Sequence, residues 1–218
     1  MKNDKKYLLL AIIFFALFLT LTALVLHVDV RPLGAMETEI GLSHVNLAVR
    51  EHLDFNEALY TLTDMLGIIP LLFALGFAFL GLFQCIKRKS IFKVDKSISL
   101  LGAFYLVVIF TFVFFELFVV NYRPVLIYGE LEASYPSSTT LLVGTIIPTT
   151  IIQLNIRIKS RKLKAFTSFT LSIFALFMTV ARLFSGVHWL SDIIAAIFIS
   201  TALVFLYCFF INKIPDGI

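Results

Sequence analysis

Charge is what this sequence has least of. Asp, Glu, Lys and Arg make up 15% of its 218 residues, against about a quarter in a soluble domain. That shortage, with 60% hydrophobic residues and a mean hydropathy of +0.97, excludes an ordinary water-soluble fold. Cysteine is scarce too. Cys85 and Cys208 are the only two, and neither has the spacing of a metal site. Both fall near the same-side ends of apolar runs, so no disulfide, metal or other cofactor is expected. Internal repeats, low-complexity tracts and polar linkers are missing, which leaves one domain over residues 1–218 as the simplest organisation. The net charge of +4 does not imply nucleic acid, and none is expected, because the lysines and arginines gather in short loops.

What is there in abundance is apolar runs of about 20 residues, the length that crosses a bilayer core as a helix. The spacing predicts six: Tyr7 to Leu26, Leu62 to Ile86, Ser97 to Val120, Ser137 to Ile156, Ala165 to Val180, and Trp189 to Ile211. The fold class expected is therefore all-α, a six-helix membrane bundle. The first run is too long for a secretory signal core and no clear cleavage site follows it, so it reads as a retained anchor. Basic residues alternate between loops. Lys87, Arg88, Lys89, Lys93 and Lys96 follow the second run, and Arg157, Lys159, Arg161, Lys162 and Lys164 follow the fourth. The intervening loops lack such clusters. The positive-inside rule then puts both termini in the cytoplasm of a multi-pass cell-membrane protein.

The loop from Val28 to Tyr60 contains no lysine and six carboxylates. Ile40, Val45, Leu47, Ala48, Leu53 and Leu59 suggest a short amphipathic helix lying on the membrane surface. His44 and His52 in that loop read as solvated histidines.

Three segments then fall at one membrane face, away from the cytoplasm. The first is Arg123-Pro124. The second is Pro136-Ser137-Ser138-Thr139, at the start of the fourth run. The third runs from Arg182 to His188 and Asp192. If Trp189 onward is helical, His188 and Asp192 share a face, so the carboxylate can hold one imidazole nitrogen and free the other. A membrane-edge turn with a satisfied histidine is the plainer alternative. The helix start at Ser137 offers unpaired N–H groups to an anion, or simply a hydroxyl cap. Arg123 and Arg182 carry the planar fork suited to phosphate. Glu116 is the one charge inside the third run. It either pairs with Arg123, about two helical turns away, or acts on its own account.

In combination these segments resemble the type 2 phosphatidic acid phosphatase and vanadium haloperoxidase superfamily, in its integral-membrane branch. The family pattern reads K-x6-R-P, then P-S-G-H, then S-R-x5-H-x3-D, and the likeness covers about residues 97–211. The resemblance implies a lipid phosphatase or diphosphatase, with a phosphatidate-like or prenyl diphosphate substrate. It implies His188 as nucleophile through a phosphohistidine and Asp192 as its orienting partner. Arg123, Arg182, Ser137, Ser138 and Thr139 would bind the phosphate, without a metal, on the extracytoplasmic side. Four positions depart from the pattern: Glu116 stands at the lysine, Ser138 at the glycine, Thr139 at the histidine and Ala181 at the serine. Threonine is a poor acid, so protonation of the leaving group would fall to another residue, with Glu116 or one of the surface histidines, His44 and His52, as candidates. A non-catalytic member that binds or translocates a phosphorylated lipid is the alternative.

Overall fold

The computed structural model describes residues 2–214, with side chains described from Asp4 onward. Among the described residues, eight α-helices follow in order: α1 Lys2–His27, α2 Ser43–Arg50, α3 Glu57–Leu66, α4 Ile68–Arg88, α5 Lys96–Leu117, α6 Ser138–Arg157, α7 Arg161–Phe184 and α8 Leu190–Ile211. A two-stranded antiparallel ribbon pairs β1 Arg31–Pro32 with β2 Glu39–Ile40. Among the described residues, six helices are long and apolar enough to cross a membrane, with α3 and α4 together forming the second, Glu57–Arg88. The architecture is the expected all-helical membrane bundle.

The two central helices are α6 and α8. Half of the α6 span and 44% of the α8 span are buried, against 6% for Glu57–Arg88. The reason is small and hydroxyl side chains. Gly144 lies so close to α8 that a Cβ there would come within 2.6 Å of the Ser200 hydroxyl. Ala195, Ala196 and Ala202 on α8 are buried. Without a water-driven force between spans, close backbone approach of this kind holds membrane helices together. The buried threonines of α6 satisfy themselves locally: Thr145 and Thr149 donate to the carbonyls of Leu141 and Thr145, each at 2.8 Å. Phenylalanines and leucines on the other helices point outward, as bilayer-facing side chains do.

Several boundaries differ from the sequence expectation. The fifth span runs from Arg161 to Phe184 and so takes Arg182 into its last turn, where a cation faces the negative end of the helix. The second span begins at Glu57, because Asn56 caps it by accepting from the Leu59 N–H at 2.9 Å. The amphipathic helix in the first loop exists as α2, but its protein-facing side is polar. Ser43 and Asn46 are buried while Val45 is exposed. The Asn46 side chain donates to Ser191 Oγ at 3.0 Å and accepts from the Ser191 N–H at 3.1 Å, pinning α2 onto the start of α8.

Candidate active site

Three chain segments meet at one end of the bundle, and each is held there by identifiable contacts. Arg123 sits in the α5–α6 connection, which folds back as a hairpin. Its backbone N–H donates to Glu132 O at 3.0 Å, and Ser134 N–H to Asn121 O at 2.9 Å. The tip turns at Tyr128 and Gly129, with φ of 50° and 84°. The hairpin joins the start of α6, where the Ser137 N–H donates to the Asp192 carbonyl at 3.1 Å. One hydrogen bond therefore ties the N-termini of α6 and α8 together.

His188 lies just ahead of α8 rather than on it. The chain leaves α7 through Ser185 and Gly186, the latter at φ +71°. A Cβ on Gly186 would sit 2.8 Å from Arg50 Nη1 and from the Asp54 carbonyl, so both conformation and space call for glycine. Asp192, in the first turn of α8, accepts the Trp189 N–H at 2.9 Å and the Asn121 amide at 3.2 Å. Its Oδ2 is 3.7 Å from His188 Nδ1. That is too long for a formed hydrogen bond. The approach arises through the turn before the helix, not through the shared helical face that the four-residue spacing suggested. Neither ring nitrogen of His188 has a hydrogen-bond partner, though the side chain is 1% exposed. Burial lowers the imidazole pKa to about 4; Asp192 opposes that fall, and the charges of Arg182 and Arg123 add to it. The ring is neutral at neutral pH.

The two guanidinium groups share one aromatic neighbour. The Arg182 guanidinium carbon is 4.9 Å from the Tyr60 ring centroid and that of Arg123 is 6.0 Å away. Arg182 donates to the Thr63 hydroxyl at 3.2 Å and leaves its Nε–H unpaired. Arg123 pairs with Glu132, Nη2 to Oε2 at 3.0 Å, and leaves Nε and Nη1 unpaired. Its described carboxylate partner is thus Glu132, a correction to the pairing with Glu116 considered from the sequence. Buried N–H groups without partners are costly. Here several lie beside an unpartnered imidazole, on two positive side chains. That arrangement is complementary to a small multivalent anion.

The hydroxyl segment contributes less than its composition promised. The Ser137 hydroxyl donates to Thr140 at 3.1 Å and its N–H is committed to Asp192. Ser138 and Thr139 are half-buried at the first turn of α6. Glu116 is exposed and lines a small crevice with Phe112, Ser134, Tyr135 and Ser138 that includes neither arginine nor His188. Sequence reasoning missed Tyr60, Thr63, Asn121 and Glu132. The first two lie on α3, where three-residue spacing puts them on one face, but nothing in a hydrophobic run marks that face as functional.

A model of the PAP2 superfamily matches residues 97–215. No curated protein gives a significant match to the sequence. Among solved structures, the fold is similar to one described as the first transmembrane PAP2 type phosphatidylglycerolphosphate phosphatase from Bacillus subtilis. The TM-score is 0.64 at 18% identity, over 95% of this chain and 98% of that one. With the family model covering more than half of its length, this multi-pass membrane protein belongs to the PAP2 superfamily and is, at family level, a membrane phosphatase.

Proposed function

We propose that the protein hydrolyses a phosphorylated membrane lipid, a phosphatidate-like monoester or a prenyl diphosphate, at the extracytoplasmic face. The observation that carries this is the pair of buried guanidinium groups with unpaired N–H donors, whose charges act on a buried imidazole with no partner. Arg123 and Arg182 bind the phosphate oxygens and neutralise charge as it builds in the transition state. Nε2 of His188, the nitrogen turned away from Asp192, attacks phosphorus and the bond to the leaving oxygen breaks. Asp192 stabilises the charge that develops on the ring and keeps Nδ1 protonated. Water then attacks the phosphohistidine and releases phosphate. The first-turn backbone of α6, with Ser138 and Thr139, supplies further donors. Ser137 supports them by fixing the α6 terminus against Asp192.

The family likeness and the distribution of basic loops support the lipid substrate and the outward-facing site. Phosphatidylglycerolphosphate, named for the structural relative, belongs in a substrate panel with phosphatidate and a prenyl diphosphate. Purified protein is expected to release phosphate from at least one of them, and His188→Ala to release none above background. Equal release by the two proteins would sink the proposal. The 3.7 Å gap between His188 and Asp192 and the threonine at position 139 favour a second reading, a phospholipid-binding member without turnover. Tight lipid binding with no trapped phosphohistidine in the intact protein would select it.

A further inference from the structure

The chemistry of phosphoryl transfer leaves one proton without a carrier. Breaking the bond to a lipid alcohol expels an alkoxide unless an acid protonates the oxygen as it departs. His188 gives its lone pair to phosphorus and cannot also supply that proton. Asp192 is fully buried, and its carboxylate oxygens are held by the Trp189 N–H and the Asn121 amide. The arginines do not give up protons in proteins.

Geometry narrows the choice further. Attacking and leaving atoms stand roughly in line across phosphorus. The His188 side chain is 1% exposed, so a leaving oxygen in line with its attack points toward the more exposed side of the site. The partly exposed carboxylate that pairs with the anion-binding set is Glu132. Its Oε2 lies 3.0 Å from Arg123 Nη2, with the Glu132 side chain 41% exposed against 9% for Arg123. The hairpin sets this position, because Arg123 and Glu132 are also joined through the backbone. Glu132 acts electrostatically on Arg182, Tyr60 and Glu116 as well. Asp64, on α3, acts on Arg182 and Tyr60 but forms no ion pair within 4 Å among the described residues. The crevice of Glu116 excludes both arginines. A phosphate that takes the Arg123 fork takes the seat Glu132 now fills, which leaves that carboxyl group against an outward phosphate oxygen.

We propose that Glu132 is the leaving-group acid of this site, an inference that rests on the phosphatase function proposed above. The proton arrives on the substrate monoanion and passes to Glu132 as phosphate displaces it from Arg123. When Nε2 bonds to phosphorus and the P–O bond breaks, the Glu132 O–H hands the proton to the leaving oxygen, which departs as a neutral alcohol. The resulting carboxylate then accepts a proton from the water that attacks phosphorus. The N–P bond breaks, its electron pair returns to His188, and phosphate and protonated Glu132 remain.

The test compares the full-length protein with Glu132→Gln, Glu132→Asp, Glu116→Gln and His188→Ala, on short-chain phosphatidate and on p-nitrophenyl phosphate. The p-nitrophenolate ion leaves without a proton, so an acid is dispensable for that substrate alone. Glu132→Gln is expected to lose on the order of 10²-fold in kcat on phosphatidate and far less on the aryl ester, with partial recovery in Glu132→Asp. Equal losses on both substrates would mark a structural role and overturn the proposal. A fall in KM on both with kcat intact would overturn it too, because Glu132 would then only compete with phosphate for Arg123. A selective phosphatidate loss in Glu116→Gln but not in Glu132→Gln would move the role to Glu116. Equal turnover by wild type and His188→Ala, or none by wild type, would instead remove the underlying phosphatase function, and this proposal with it.

Discussion

A histidine buried without a hydrogen bond is unusual, and its neutrality decides what it can do. As the proposed nucleophile, His188 needs its lone pair, and the burial that depresses its pKa to about 4 keeps that pair free across most of the biological pH range. The sign is definite: protonation, which destroys the nucleophile, begins only as pH falls towards 4. In the free protein the acid limb of kcat/KM is therefore expected well below 6.5, the ordinary histidine value. An acid limb centred near 6.5, measured on an aryl phosphate, would show a solvated ring instead. The residues that surround His188 were legible to different degrees. Arg123, Arg182, His188 and Asp192 stood out because charge is so rare in this chain. Tyr60 and Thr63 did not, since an aromatic ring and a hydroxyl at the edge of an apolar run look the same whether they face lipid or a guanidinium group. Glu132 was hidden for the opposite reason. It is one of two carboxylates in its loop, with Glu130, and the hairpin pairing brings it to Arg123.

At the scale of elements, the turn between α7 and α8 aims the imidazole. Gly186 accomplishes this with a positive φ and with the absence of a side chain against Arg50 and Asp54. Gly186→Ala is expected to cost about 1–3 kcal/mol and to lower kcat more than it raises KM, as His188 is displaced from the phosphate seat. Thermal unfolding in detergent and steady-state kinetics check the two parts, and an unchanged melting temperature would contradict the first. The long spans were legible because hydropathy over twenty residues is a strong signal. The polar inner face of α2 was not, because a periodicity search looks for buried apolar residues. There Ser43 and Asn46 are the buried ones, and Asn46 finds its partner, Ser191, on α8.

For the whole molecule, the outstanding quantity is which side of the membrane the site faces. In the proposed orientation, with the basic loops in the cytoplasm, the hairpin lies outside. Tyr128 at its tip is 87% exposed, which makes it a reporter. In a variant with Cys85 and Cys208 replaced by serine, Tyr128→Cys is expected to react with a membrane-impermeant maleimide on intact cells. Labelling only after permeabilisation would reverse the orientation of the whole bundle.

The match to the family begins at residue 97, yet the ring that both guanidinium groups flank belongs to α3, and the side chain that clasps the head of α8 belongs to α2. The first ninety-six residues are thus not a mere preface to the reactive half. In the proposed function they furnish the backing against which two mutually repelling cations are kept facing the same cargo. Relatives that keep every signature residue but exchange this leading portion would inherit the same reaction and a different grip on what it acts upon.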